Sequence, residues 1–441
     1  MSQALHTDLV ASYLSNGAEE SFKRTLLVKY VFLVDVLREL VPPASGFADY
    51  IESNLLPLKS LSAQDVIADG TPFFWMNVDR CRNDPDNLAS HSRHLVMLAF
   101  DSFFRHLPDG AEFKLSPVEG SDVVLPCLRI RVPAAGKAAV LRRLNSESLE
   151  IEVNGEIEIL TLGAIDSKYQ LPLLTIPDQD SAVLLKVNDP ALVEKDYIET
   201  ISLNSTSAIS LNQKIGRSLE MIGEADAELG GQIKRLIKWY FPIVTKDPNT
   251  THNSFTAKRL IGVMFVSEIY RFMPLLEAIV HEFHHTELYM LMASREVLWE
   301  DEHRLYYSPW REDARTIFGL FHACHVFSQV EEFYSRAAES VAFEDYREYI
   351  AQRRLELCQQ LRLGLLQIRR DELPQTGREV FDFMVAQVDL REKEMQFNQN
   401  PLPRIIVHLD QWRQRHPELA DSIILPVDLQ LTRSNAASER G

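Results

Sequence analysis

The sequence has few cysteines, and no two of them are closely spaced. Its four cysteines, among 441 residues, are scattered along the chain and form no CxxC pair. The sequence therefore predicts neither a disulfide framework nor a cysteine-ligated zinc site, since each of these has its own pattern of paired cysteines. We expect the cysteines to be buried, reduced thiols.

The sequence also lacks an excess of positive charge and a long apolar run. Its 63 acidic side chains outnumber the 46 basic ones, which gives a formal net charge of −17 at pH 7. This balance argues against a partner such as nucleic acid or an anionic membrane, because both require a basic surface. We see neither a run of 18 apolar residues nor a basic, apolar signal segment, so we expect a cytoplasmic protein.

The hydrophobic pattern divides the chain into three regions. Residues 1–108 carry apolar positions at helical spacing, whereas residues 109–204 carry short, partly alternating apolar segments between turn residues. In this second region, Asn154-Gly155 separates two alternating runs and predicts a hairpin with a type I′ turn. Residues 205–441 return to helical patterns. The sequence predicts an α+β fold, predominantly helical, with a helical N-terminal region, a small antiparallel β region and a helical C-terminal portion.

Histidines are concentrated in the C-terminal portion, where six of the 13 fall between positions 281 and 325. The segment EAIVHEFHHTELYMLM contains neither proline nor glycine and is predicted to be a helix. Within it, His281, Glu282 and His285 form an HExxH motif. Positions i and i+4 lie one turn apart on one helix face, so the two imidazoles can bind a single metal ion. We expect His284 to be a surface histidine or to support a ligand.

The spacing of the HExxH motif does not identify the third protein ligand of the predicted metal site. The long metzincin motif is excluded because Leu288 and Leu291 occupy its glycine and histidine positions, and the inverted motif would need glutamate at His284. A zinc peptidase of the gluzincin type would use a downstream glutamate, and no candidate has a distinctive spacing. The glutamates within reach along the chain are Glu300, Glu302, Glu312, Glu331 and Glu332.

His322 is the other candidate for the third ligand. If residues 311–330 form one helix, Arg315 lies 7 residues and Arg311 lies 11 residues before His322 (322 − 315 and 322 − 311), so the three side chains share a face. Such a stripe could bind one end of a small dicarboxylate at the metal and clamp its far carboxylate with a guanidinium. The alternative is that the histidine is a core residue and the arginines pair with neighbouring acids.

Three segments in this order, LEAIVHEFHHTELYML, YYSPWREDAR and FGLFHACHVF, resemble the HExxH-containing peptide-modification proteins of bacterial peptide natural-product clusters. The resemblance covers about 276–335 of the chain. The studied members of that family are 2-oxoglutarate-dependent peptide β-hydroxylases. The resemblance therefore implies an oxidoreductase, a dioxygenase of RiPP biosynthesis that hydroxylates a side-chain β-carbon of a ribosomally made peptide.

The resemblance also implies roles for individual residues of this chain. His281 and His285 would bind Fe(II), with His322 as the third ligand. Arg311 and Arg315 match the two arginines of the PWRxDxR stretch, and one of them would bind the distal carboxylate of the cosubstrate 2-oxoglutarate.

Glu282 has different roles under the two enzymatic hypotheses. In the oxygenase it would orient a ligand or a water beside the iron, whereas in a zinc peptidase it would be the general base. The partners implied are O₂ and a peptide substrate, with or without a leader peptide, and neither nucleic acid nor a membrane. An HExxH zinc metallopeptidase and a non-catalytic peptide-binding scaffold are the alternatives.

Overall fold

The structure is a computed structural model, and it describes most of the chain from residue 88 onward. The described residues are 73, 76–77, 80, 88–104, 107, 109–115, 119–120, 122–176, 181–184, 192, 205–243, 253–267, 271–294, 297–298, 303–395 and 402–426. Residues 1–72 of the helical N-terminal region predicted for 1–108 lie outside them. They fall into two compact units. The sheet unit contains the described residues from 73 to 218 together with 232–275, and the histidine unit contains 219–231 together with 276–426.

The described elements alternate between helical and β-rich stretches. The helices are α1 (Leu88–Phe103), α2 (Ser205–Ala225), α3 (Ala227–Leu236), α4 (Phe272–Ser294), α5 (Ile317–Ala337), α6 (Arg347–Leu366), α7 (Gln375–Glu394) and α8 (Pro403–Arg415). The strands are β1 (Glu112–Leu115), β2 (Val123–Leu125), β3 (Ile130–Val132), β4 (Ala139–Asn145), β5 (Ser148–Val153), β6 (Glu156–Thr161), β7 (Leu173–Thr175), β8 (Ala182–Leu184), β9 (Trp239–Ile243), β10 (Ser254–Phe255), β11 (Val263–Ser267), β12 (Leu305–Tyr306) and β13 (Arg315–Thr316). The predicted α+β, mostly helical fold class is confirmed. None of the described helices combines the length and the apolar character that crossing a bilayer requires.

The predicted hairpin forms the edge of a four-stranded antiparallel sheet in the sheet unit. The strand order is β1-β4-β5-β6, and β5 pairs with β6 through register pairs that end at Val153 and Glu156. The φ angles of Asn154 and Gly155 are 55° and 83°, and a type I′ turn needs both to be positive. The hairpin prediction is therefore confirmed.

A second sheet of the same unit corrects the prediction that the chain is helical from residue 205 onward. Its order is β10-β11-β9-β8-β7, and β9 runs parallel to both β8 and β11. The β region is thus not wholly antiparallel. All five residues of both β9 and β11 are buried. Because such strands read as continuous apolar runs, their sequence does not distinguish them from buried helix.

The helix predicted for residues 311–330 begins later than expected. α5 starts at Ile317, and the Thr316 hydroxyl caps it by accepting a hydrogen bond from the Gly319 amide at 3.4 Å. Arg315 lies in β13, which pairs with β12, and Arg311 lies in the preceding turn. The prediction that both arginines share a helical face with His322 is wrong, because threonine at the N-cap position decides where the helix begins.

The histidine unit is a helical assembly built around α5. One apolar core cluster takes residues from α4, α5, α6 and α7, among them Leu288, Phe321, Leu361 and Met384. None of the three described cysteines forms a disulfide: Cys324 and Cys358 are buried thiols, as predicted, and Cys127 in the sheet unit is a half-buried thiol. α5 therefore brings its polar face, which includes His322, into a well-packed helical environment.

Candidate metal centre

α4 presents the two histidines of the HExxH motif to each other. The ring centroids of His281 and His285 are 4.8 Å apart, and their Nε2 atoms are 3.1 Å apart. Two nitrogens that each lie about 2.1 Å from one ion are separated by roughly 3.0 to 3.4 Å. This spacing is compatible with a shared metal ion, and it is also that of a hydrogen bond between the two rings.

The surroundings keep these imidazoles neutral. Desolvation lowers the pKa of His281 to about 3, with further lowering by His284 and Arg353. Desolvation also lowers the pKa of His285 well below its usual range, helped by the neighbouring histidines. Only a neutral imidazole offers a lone pair to a metal, so both side chains are in the form that binds metal at neutral pH.

His322 joins the pair but does not face the same point. It is buried on α5, with its Nδ1 atom 3.3 Å from the Nδ1 atom of His285. Its Nε2 atom lies 3.1 Å from the sulfur of Met292. The three histidines thus form a row, and among the described residues no set of three or more His, Cys, Asp or Glu side chains is arranged to hold a metal ion.

The donor set nevertheless fits a transition metal. Imidazole nitrogens suit iron, zinc and copper, and here three imidazoles lie in a row in which His285 contacts both of the others. A fourth, His325, is buried one turn along α5, and its Nδ1 atom has no hydrogen-bond partner among the described residues. Buried polar atoms are normally paired, so an orphaned nitrogen in a histidine cluster indicates a place where a ligand is expected.

His284 was predicted to lie at the surface or to support a ligand, and the surface position is wrong. It is buried, and its Nδ1 atom lies 2.5 Å from Oε2 of Glu287, one turn further along α4. The i, i+3 spacing of the two residues could have indicated this pair. Glu282 is also buried, within the histidine cluster's helix. A buried carboxyl at this position is compatible with either of the roles predicted for it.

The two candidate arginines occupy different environments. The side chain of Arg311 is 60% exposed and pairs with Asp313 at 3.4 Å. The side chain of Arg315 is 34% exposed, pairs with the same carboxylate at 3.1 Å and crosses Gly319, where an added Cβ would lie 3.4 Å from its Cδ atom. Because Gly319 lies one turn before His322 on α5, Arg315 is the arginine that packs against the turn leading to the histidines.

The glutamates that a gluzincin-type site would need have other partners. Glu331 is buried between Arg354, at 2.8 Å, and Arg391, at 2.9 Å. Glu332 also pairs with Arg391, and the exposed Glu312 pairs with Arg415. Glu300 and Glu302 lie outside the described residues. None of the three described glutamates is available as a simple third ligand.

Contacts that are distant in sequence support the first histidine. The Phe327 ring packs 4.7 Å from the His281 ring and stacks on Trp310 at 4.9 Å. The Arg353 guanidinium lies 5.8 Å from the centre of the Phe327 ring. It also donates hydrogen bonds of 2.6 and 2.9 Å to the two carboxylate oxygens of Glu277, which lies one turn before His281. Sequence reasoning missed this support, because no local pattern links positions 76 residues apart.

Comparison with protein-family models gives no match for this chain, and comparison with curated proteins gives none either. The chemistry of the centre follows from its own residues.

Proposed function

We propose that this protein is an Fe(II)- and 2-oxoglutarate-dependent dioxygenase that hydroxylates a side-chain β-carbon of a ribosomally made peptide in the cytoplasm. The observation that carries the proposal is the pair of neutral HExxH imidazoles with Nε2 atoms 3.1 Å apart, in contact with a third imidazole. The resemblance of the three motif segments to HExxH peptide-modification proteins supports the choice of reaction.

His281 and His285 would hold the iron through their Nε2 atoms. His322 contacts the opposite ring edge of His285, so its ring would have to turn for it to become the third protein ligand. Iron with 2-oxoglutarate and O₂ supplies an oxidant strong enough for an unactivated C–H bond, with succinate and CO₂ as coproducts. Three neutral imidazoles leave the charge of a divalent ion uncompensated in a poorly solvated site. A dianionic cosubstrate supplies that compensation, which favours a keto acid as the exogenous ligand.

Arg315 is the better candidate to bind the distal carboxylate of 2-oxoglutarate. We expect Arg315→Ala to raise the KM for 2-oxoglutarate by about 10- to 100-fold, because a charged hydrogen-bonded contact contributes roughly 1.5 to 3 kcal/mol. Arg311→Ala is the matched control and should change this KM less than about twofold, since an exposed ion pair contributes little. The assignment is wrong if Arg311→Ala has the larger effect or if neither variant changes the KM.

A zinc metallopeptidase is the second candidate, and the buried Glu282 next to His281 favours it. In that enzyme Glu282 would be the general base for a metal-bound water. The ion pairs of Glu331 and Glu332 argue against it, because they occupy the glutamates that would complete the ligand set. A non-catalytic peptide-binding scaffold would not use the buried imidazoles as metal ligands, so it gives no reason for their clustering.

One incubation separates the three possibilities. The purified full chain is mixed with Fe(II), 2-oxoglutarate, O₂ and the peptide encoded beside its gene, and in parallel with Zn²⁺ and the same peptide. A peptide that gains one oxygen, with an equal amount of succinate, supports the oxygenase. Cleavage of the peptide with zinc alone would replace the proposal by the peptidase. No reaction in either arm and no retained metal would indicate the scaffold.

A further inference from the structure

β6 is the outer strand of the four-stranded sheet in the sheet unit. It follows β5 through a two-residue turn, so the pair that closes the turn, Val153 and Glu156, exchanges hydrogen bonds, and every second pair after it does the same. The amides and carbonyls of Ile157 and Ile159 therefore point away from β5. In the described part of the chain, no backbone hydrogen bond outside this ladder reaches either residue. The edge can accept one more strand.

The side chains of the same two residues form an apolar surface beside these backbone groups. Ile157 is 58% and Ile159 is 61% exposed, although isoleucine is among the residues most often buried. Both lie on one face of the sheet, because they are two positions apart. Edge strands are commonly protected by lysine, proline or a bulge, and β6, with sequence EIEILT in unbroken register with β5, contains none of these. An open backbone edge beside exposed apolar side chains is the arrangement that strand addition uses.

Acidic side chains surround the two isoleucines. They are Glu150 and Glu152 on β5 and Glu156 and Glu158 on β6. Arg142 pairs with Glu150, and the Nζ atom of Lys168 lies 3.8 Å from Oε1 of Glu158. Glu152 and Glu156 form no ion pair with any residue that the structure describes. The edge therefore carries an excess of negative charge, which a basic partner neutralises.

The same charges argue against a second copy of this chain as the occupant of the edge. Residues directly opposite each other in an antiparallel pair have their side chains on the same face. A pair of β6 strands that brings isoleucine opposite isoleucine would also bring Glu156 and Glu158 of one copy opposite those of the other. Like charges in that position are destabilising.

We propose that β6 is the docking edge for an extended peptide in which basic and apolar residues alternate. The peptide adds antiparallel to β6, as the neighbouring strands of this sheet do. Its apolar residues exchange backbone hydrogen bonds with Ile157 and Ile159 and cover their side chains, while its basic residues lie on the other face, opposite Glu156 and Glu158. The inference concerns the sheet unit and does not depend on the chemistry of the histidines.

Binding of a labelled eight-residue peptide that alternates lysine and valine tests this inference on the full chain. We expect a saturable rise in fluorescence anisotropy, and binding at least about tenfold weaker when glutamate replaces each lysine, because like charges then lie opposite each other. N-methylation of the valines should abolish binding, since it removes the amides that face β6. N-methylation of the lysines should change the affinity less than about twofold, because their amides face away from β6.

Ile159→Lys should weaken binding of the lysine–valine peptide by about fivefold or more. The variant removes an apolar contact between strands and adds a positive charge beside a basic peptide. Ile209→Lys is the matched control, because Ile209 is 48% exposed on α2 in the same unit and the change in charge is identical. It should leave the affinity unchanged. Circular dichroism and thermal unfolding establish that both variants are folded.

Three results with the peptides would overturn the inference: no binding of the lysine–valine peptide, equal binding of its glutamate counterpart, or full binding after N-methylation of the valines. Wild-type affinity in Ile159→Lys would overturn it as well. Sedimentation velocity tests the other occupant, since a wild-type dimer that Ile159→Lys dissociates and Ile209→Lys does not would assign the edge to a second copy. Each of these results leaves the iron-dependent hydroxylation untouched, so failure of this inference is distinguishable from failure of the proposed function.

Discussion

His281→Ala and His285→Ala should each reduce the iron content of the purified protein from about one ion per chain to nearly none. Each variant leaves a single HExxH imidazole, and the chelating pair with Nε2 atoms 3.1 Å apart is lost. A binding site that is partly enclosed and built from neutral donors depends on every ligand, because the ion loses its water on entry. The measurement is metal content after anaerobic reconstitution with Fe(II) and removal of the excess.

The control for this loss is His303→Ala, because His303 is an exposed histidine outside the cluster. It should retain the full iron content. Circular dichroism separates loss of metal from loss of fold, and neither alanine variant should lose helical signal. Stoichiometric iron in both His281→Ala and His285→Ala would show that the HExxH pair is not the metal centre.

Glu331→Ala should lower the free energy of unfolding by about 3 to 5 kcal/mol while leaving the iron content unchanged. Its carboxylate lies buried between Arg354 and Arg391. Without it Arg391 keeps its ion pairs with Glu332 and Glu394. Arg354, whose side chain is 15% exposed, keeps only a 3.8 Å contact with Glu394. Removing one member of a buried ion pair is costly because an uncompensated charge stays buried. Urea unfolding of the full chain gives the free energy, and metal analysis of the same sample gives the iron content.

Glu344→Ala provides the comparison, since Glu344 is an exposed glutamate whose ion pair with Arg347 spans 4.0 Å. Its effect should stay below about 1 kcal/mol, as for most surface pairs. An iron-free but folded Glu331→Ala protein would instead identify Glu331 as a metal ligand, and would favour the zinc peptidase. A change in stability no larger than that of Glu344→Ala would show that the buried network contributes little.

Features with a local signal were predictable from the sequence. The HExxH helix needs only good helix formers and a spacing of four, and α4 contains the whole motif. The Asn154-Gly155 turn needs only two residues that tolerate positive φ. In both cases the information lies within a few neighbouring residues, so tertiary packing had little to decide.

The predictions that were wrong concern segments whose local sequence fits more than one structure, so that tertiary packing or a cap decides which one forms. β9 and β11 are short, fully buried apolar runs, and only their pairing across the sheet makes them strands. The start of α5 depends on Thr316 as a cap, whereas Ser308 and Pro309 carry a similar signal but open a turn. Because Thr316 caps α5, Arg315 lies in β13 and not in the helix predicted for it.

The candidate site likewise has a part that follows from local sequence and a part that depends on tertiary packing. The contact of His281 with His285 follows from helix geometry, but the row continues through His322 and Met292 only because two helices pack together. The support of the site by Arg353 and Glu277 likewise joins α6 to α4. The sequence contains these residues without any spacing that connects them.

The most direct test of the central claim is the anaerobic addition of 2-oxoglutarate to the protein loaded with Fe(II). Binding of the keto acid to iron held by His281, His285 and His322 should produce a visible metal-to-ligand charge-transfer absorption at one equivalent of each. The band should be absent from His281→Ala under the same conditions. No band in the wild-type protein, although iron is bound at one ion per chain, would contradict a 2-oxoglutarate-dependent centre.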